Sequence, residues 1–411
     1  MSRKQLNIGL FGFGCVGHGL YEVLQKTPAL RATIKNICVK DKNKEREIGP
    51  EHFTFDKNDI LNDESINVIV ELIDDADAAF EIVSAALKKG KAVVSANKKM
   101  VAEHFTELLK LQKEYNVPLL YEAAACASMP IIRNLEEYYD NDLLESIEGI
   151  VNGSTNYILT KTFEENLSYD EALKQAQDKG FAESNPILDT GGFDAKYKLQ
   201  ILVAHAFGYI AKPNDIFNIG IDNIGELELK YAREKGLKIK LVAKAFKRED
   251  GGLTALVIPK FVSPEDRLYN VDDVFNGVIT KTGFADTHFF VGKGAGAYPT
   301  ASAVLSDISA LSYDYRYEYK KIYREENVFL AGDVALKVLL RHKKEDAENF
   351  KLYFNDIEEA YTNHDTGYLT GTITLENLKT LQSQNGGDRS FILIQAVTEK
   401  KAEATIPLEV V

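Results

Sequence analysis

Short runs rich in Val, Ile and Leu at Leu6–Phe11, Ile34–Val39, Asn67–Ile73, Ala92–Ser95 and Val117–Tyr121 alternate with stretches of helical periodicity at Val16–Lys26, Ala78–Lys89 and Val101–Tyr115. Runs that are apolar at nearly every position suit strands covered on both faces. Strands that alternate with helices need crossover connections, so this part of the chain predicts an α/β unit with a parallel sheet. Gly90 is a natural helix stop.

After Pro130 the pattern changes. Leu143–Val151 and Lys238–Phe246 predict strands, while Ser154–Glu165, Ser168–Lys179 and Asp194–Phe207 predict helices. Ser168 with Glu171 has the spacing of a capping box. Pro299–Ser312 predicts another helix, with its proline in the first turn. From Tyr313 the charge density rises, which predicts a connecting segment. Beyond it, strand patterns at Val334–Arg341 and Phe391–Val397 surround a short helix near Leu375–Gln382, enough for a small α+β module. The predicted division is 1–128 with about 295–325 as one domain, 129–294 as a second, and 326–411 as a third.

Composition narrows the function classes. With 49 Lys+Arg against 62 Asp+Glu among 411 residues, the net charge is −13, which argues against nucleic acid and against an anionic membrane surface. Hydrophobic residues at 45% and charged residues at 27% predict a folded chain. Cys15, Cys38 and Cys126 are odd in number and scattered, so neither a disulfide framework nor a cysteine metal site is expected, and a reducing cytoplasm is the simplest location. No run of about 18 apolar residues occurs.

The first candidate chemistry follows the first strand. In GFGCVG, Gly12, Gly14 and Gly17, with Phe13, Cys15 and Val16 between them, fall where a dinucleotide fingerprint needs a tight turn, close approach of a pyrophosphate and close helix packing. Lys40 and Asp41 end the second strand with opposite implications. A cation there suits a 2′-phosphate and an acid suits a ribose 2′-hydroxyl. In SANKKM, Asn97 and Lys98 follow the fourth strand at a carboxyl edge of the sheet, where ligands bind in such folds. The segment GFAESNPILDTGGFDAKYK carries Glu183, Asp189, Asp194 and Lys198; the last two are one helical turn apart, where the carboxylate fixes the ammonium, or where the two form an ordinary surface pair.

Together with PLLYEAAACASMPIIRNL, GIVNGSTNYIL and GKGAGAYPTASAVLSDI, these segments resemble homoserine dehydrogenase in content and order, from residue 9 to residue 308. The resemblance implies a Rossmann-type NAD(P)-binding domain, an α+β catalytic and dimerisation domain, and reversible interconversion of L-homoserine and L-aspartate 4-semialdehyde in threonine and methionine biosynthesis. It implies Lys198 as proton donor and acceptor with Lys98 assisting, Glu183, Asp189 and Asp194 at the substrate, and Gly180 and Gly296 beside the cofactor. It also implies a monovalent cation such as Na+ at Glu122 and the carbonyls of Ala125, Ala127 and Met129, and a homodimer or homotetramer. The tail has the size of an ACT-like regulatory module without that module's Asp-x-Pro-Gly turn. No kinase module precedes Leu6, so the monofunctional form is expected. The chain departs from the family pattern at Asp74–Asp75 and Ala127–Ser128, where glycine is usual.

Two other readings belong to different classes. A thiol-dependent aldehyde dehydrogenase would use Cys126 with His205 available elsewhere, and a non-catalytic nucleotide sensor would explain the departures. Retention of both lysines and Glu183 speaks against the sensor.

Overall fold

The computed structural model describes residues 4–141, 143–324, 328–384 and 389–397. Its amino-terminal part is a parallel sheet in the order Phe53–Thr54, Ala32–Cys38, Leu6–Phe11, Val68–Glu71, Ala92–Ser95, Leu119–Leu120. The parallel sheet is as expected; its order is doubly wound, with the reversal beside the first strand, and it adds the edge strand Phe53–Thr54 that the apolar pattern did not predict. Ligands bind such sheets at carboxyl ends beside the reversal. Ile8, Leu10, Ile69, Val70, Val93 and Val94 are fully buried, as strands covered by helices on both faces must be.

The expected single helix over Val101–Tyr115 is two helices, Lys98–Glu103 and Phe105–Tyr115. His104 leaves helical geometry at the join, and its ring stacks on Phe80 at 3.8 Å between centroids. The helix expected from Pro299 begins earlier, at Ala297, with Gly296 as its cap. It returns to the first domain: a Cβ on Gly19 would lie 2.9 Å from the Ala297 carbonyl oxygen, so the two helices pack backbone to backbone. The segment after Tyr313 is more than a connector. Tyr317 and Tyr319 are buried, and the Tyr121 amide donates to the Tyr317 hydroxyl at 3.3 Å. Glu318 and Lys320 face outward between and beside the two buried tyrosines, while Lys321 turns inward to the Leu135 and His205 carbonyls at 2.8 and 3.0 Å.

The rest is a mixed sheet running Asp286–Lys293, Phe275–Thr282, Leu144–Ile150, Lys238–Lys247, Gly252–Val262, Ser390–Val397, Ala335–Lys343, Thr366–Thr374, Phe354–Thr362. Helices Gly153–Glu164, Tyr169–Asp178 and Phe193–Phe207 accompany it, and the capping box at Ser168 and Glu171 is present. The strands after residue 328 join this same sheet in a βαββαβ order, a ferredoxin-like module. A buried ion pair, Arg341 Nε to Glu228 Oε1 at 2.5 Å, ties the module to the central one. The boundary expected at residue 326 and the last residues, 398–411, lie outside the described residues.

Candidate active site

Five elements converge on one carboxylate. The strand Leu144–Ile150 ends at Val151, and Asn152 caps the helix Gly153–Glu164, its Oδ1 accepting from the Thr155 amide at 2.9 Å. The short helix Ile187–Thr190 brings Asp189, and the helix Phe193–Phe207 brings Asp194 and Lys198. Between them Gly192 adopts φ +80°, a conformation that L side chains rarely adopt. From the first domain comes Lys98, at the start of Lys98–Glu103.

Asp194 is bound on both oxygens by ammonium groups. Lys98 Nζ lies 2.7 Å from Oδ1 and Lys198 Nζ 2.8 Å from Oδ2. Lys198 also donates to the Val151 carbonyl at 2.7 Å, and the Asn152 amide donates to Asp189 at 2.7 Å and to Asp194 at 2.8 Å. Burial would raise the Asp194 carboxyl, but the Lys198 and Lys98 ammonium groups and the Asn152 bond more than offset it and hold it well below the usual carboxylate range. Asp194 in turn holds the Lys98 ammonium above its ordinary value, against the opposing effect of burial. The cluster is open on one side: the Lys98 side chain is 43% exposed, against 10% for Lys198 and 4% for Asp194. Sequence reading placed Lys98, Asp189, Asp194 and Lys198 together, and the structure does bring them together. It missed the amide of Asn152, whose partners lie 37 and 42 residues away. The one signal available was an asparagine ahead of a helical run. Glu183 is exposed on the preceding loop, where its carbonyl accepts from Gln177 at 2.9 Å, and among the described residues its side chain makes no hydrogen bond or ion pair with the cluster.

The glycine turn sits at the carboxyl end of the first strand. Gly12 has φ +94°, and a Cβ there would lie 2.6 Å from the Leu72 carbonyl oxygen. A Cβ on Gly14 would meet nothing within 4 Å, so that face of the turn is open. The helix Cys15–Gln25 starts there with Gly14 as cap and no side-chain acceptor for its first amides. Such a terminus accepts a phosphate. Phe13 packs edge-on against Phe53, Cys15 is exposed, and Val16 lies on the first turn. Asn97 ties this region to Lys98, with Oδ1 accepting from Met100 at 2.9 Å and Nδ2 donating to the Ile73 carbonyl at 3.0 Å. Lys40 is 89% exposed, 3.9 Å from Asp75, which explains the acid at that position: Asp75 caps the helix Ala76–Lys88 by accepting from the Ala78 amide. Gly180 follows the helix Tyr169–Asp178 in open space, and Gly296 stands beside the first helix.

Glu122 is buried, and its oxygens accept from the Ile132 and Arg133 amides at 2.8 and 2.9 Å. Burial, with Asp307 nearby, pushes its carboxyl up to about 8. Arg133 pairs with Asp307 at 3.0 Å, which leaves one more buried carboxylate than cation there. Ala127 adopts φ +45°, the left-handed region in which glycine is usual. Ala125 and Met129, on either side of it, are both buried. Among the described residues, no group of three or more His, Cys, Asp or Glu side chains is placed to hold a metal. Burial pushes the Cys126 thiol up to about 12, and His205 is held by Tyr121 and Glu136, so neither is poised for nucleophilic chemistry.

Comparisons with known proteins identify the family. A family model described as homoserine dehydrogenase matches residues 130–309, and one described as the homoserine dehydrogenase NAD binding domain matches residues 12–122. A homoserine dehydrogenase of Helicobacter pylori is 38% identical over 313 residues, covering 74% of this chain and 73% of that protein. One of Bacillus subtilis is 32% identical, covering 84% and 83%. The solved homoserine dehydrogenase of Thiobacillus denitrificans superposes with a TM-score of 0.84 at 27% identity, covering 96% of this chain and 99% of that one. A hyperthermophilic archaeal homoserine dehydrogenase in complex with NADPH has a TM-score of 0.66 at 27% identity, covering 76% and 99%.

Proposed function

Because the chain belongs to the homoserine dehydrogenase family, we propose that Lys198 is the proton donor and acceptor at the substrate oxygen, with Lys98 as the second cation. The enzyme is an NAD(P)-dependent oxidoreductase of amino-acid biosynthesis that interconverts L-homoserine and L-aspartate 4-semialdehyde. The dinucleotide supplies the hydride acceptor or donor, held at Gly12, Phe13, Gly14, Cys15, Val16 and Gly17 with Asn97, Lys98, Gly180 and Gly296 around it; the open face of Gly14 and the uncapped helix start support that fit.

The observation that carries the assignment is the bridging of Lys98 and Lys198 by Asp194. One buried carboxylate fixes both ammonium groups, and a substrate hydroxyl beside them meets a proton path and positive charge for the developing alkoxide. In the oxidising direction Lys198 takes the hydroxyl proton; in the reducing direction it returns one. Lys98 orients the oxygen and stabilises its charge. Asp189, on the same Asn152 amide, and Glu183, on the open loop, are assigned to the substrate's polar groups. Replacing Lys198 by Met should lower turnover by roughly 10²–10⁴-fold with cofactor binding nearly unchanged, as followed by cofactor absorbance with homoserine, and should lower the melting temperature because Asp194 loses one of its two ammonium partners. Turnover within a few-fold of wild type in a folded Lys198→Met enzyme would make Lys98 the proton carrier instead.

A monovalent cation such as Na+ at Glu122 and the carbonyls of Ala125, Ala127 and Met129 is part of the same reading, supported by the missing positive charge beside Glu122 and Asp307. So are a division at 1–128 with 295–325, 129–294 and 326–411, an ACT-like role for the last part, a homodimer or homotetramer, and a cytoplasmic location. Lys40 is assigned to the 2′-phosphate of NADP, with Asp41 and the Asp74–Asp75 pair moderating that preference so that NAD is also used.

A further inference from the structure

A cavity of about 580 Å³ lies between the helix that carries Lys198 and the helix Leu375–Ser383 of the C-terminal module. Gly191, Phe193 and Lys196 form one wall and Lys379, Gln382 and Ser383 the other. Lys196 is only 8% exposed. Among the described residues its ammonium has no carboxylate or carbonyl partner, and its contact is the face of Phe193, 5.2 Å from the ring centroid. Lys98 and Lys198 on the neighbouring surface each have Asp194. Burial lowers the Lys196 ammonium from its ordinary value, the expected cost of a charge without a counter-ion.

The wall also carries one carboxylate, Asp222, a second ammonium, Lys379, and several amides. The Asn218 side-chain amide donates to the Gly191 carbonyl at 2.8 Å, and the Asn218 backbone carbonyl accepts from the Gln382 side chain at 3.0 Å, which joins the two walls. Asp222 accepts from the Tyr169 hydroxyl at 3.1 Å. Lys379 is exposed at the rim. The Lys196 stem is buried while its ammonium opens on the cavity without a carboxylate partner among the described residues; that charge matches one negative charge, and amide groups match a small polar body. We propose that this cavity is a second ligand site, for a small monocarboxylate whose carboxylate pairs with Lys196 and whose polar remainder meets Gln382 and Asn214. None of the described residues lining it belongs to the Lys98, Asp194 and Lys198 cluster, so this site stands apart from the catalytic assignment. Its wall nevertheless includes Gly191 and Phe193, the turn that sets Asp194.

Sodium L-lactate titrated into the full-length protein, with sodium chloride at equal ionic strength as control, tests this by calorimetry. Saturable binding is expected in the wild type and in Lys98→Met, which removes a cation from the other cluster. The dissociation constant should rise about ten-fold or more in Lys196→Met, the loss of one charge-assisted contact. Ser383→Trp, at an exposed helix end, fills the mouth without touching the lysine and should weaken binding similarly, so the test survives a Lys196→Met that fails to fold. No saturable binding beyond chloride, unchanged binding in Lys196→Met or Ser383→Trp, or loss confined to Lys98→Met would each overturn the proposal.

Discussion

The two ends of the helix Phe193–Phe207 carry similar chemistry and differ in access. At the first turn Asp194 bridges Lys98 and Lys198. At the last turn His205 lies between Glu136, at 2.5 Å, and the Tyr121 hydroxyl, at 2.9 Å, and Tyr121 continues to Tyr319 at 3.0 Å. Both clusters are hydrogen-bonded networks in a low-dielectric setting, where a missing partner is costly. Yet the His205 side chain is 0% and Glu136 7% exposed, whereas Lys98 keeps 43% of its surface. Burial with full satisfaction makes the far cluster a fastener between the catalytic helix, the first domain and the tyrosine segment. Burial with one open partner makes the near cluster a reaction site.

Asp194→Asn should have the largest effect on this contrast. It removes the anchor of both lysines, and turnover with homoserine should fall by roughly 10²-fold or more. The Asp194 carboxyl is held below its unfolded value, so it contributes stability above about pH 4 that is lost as pH falls further. The melting-temperature deficit of Asp194→Asn at neutral pH should therefore narrow in acid; a deficit independent of pH would break the ion-pair account. His205→Gln comes next and reads oppositely. Thermal unfolding should show a loss of about 1–3 kcal/mol from the orphaned partners, with turnover within a few-fold of wild type. A large loss of turnover in a stable His205→Gln enzyme would erase the distinction between the two ends. The smallest effect belongs to exposed Lys40. Lys40→Ala should raise the NADPH dissociation constant a few-fold, consistent with the modest worth of an exposed pair, and leave NADH nearly unchanged. Equal effects on both would remove the 2′-phosphate contact.

How much of this was legible in the sequence follows the same contrast. Most of the first sheet was readable because its central strands are apolar on both faces and its glycines mark the turn, whereas the two-residue edge strand Phe53–Thr54 was too short to read. The strand Phe354–Thr362 was not, because it is an edge strand with mostly exposed, polar positions. Gly252–Val262 contains Pro259, paired opposite Leu241, and a proline argues locally against a strand. At the site, residues one helical turn apart could be paired from spacing, so Asp194 and Lys198 were readable as neighbours. That Lys98 takes the other oxygen, and that Asn152 joins Asp189 to Asp194, depend on packing between distant segments, which spacing does not encode.

The central claim is the division of labour between Lys198 and Lys98, and the pH dependence of kcat for homoserine oxidation in the two Met variants tests it most directly. A lysine must lose its proton before it can accept one, so wild-type kcat should rise with pH. Lys98→Met should keep that rise while homoserine KM increases, and Lys198→Met should retain only a low turnover that no longer depends on pH. A rise preserved in Lys198→Met and abolished in Lys98→Met would contradict the account.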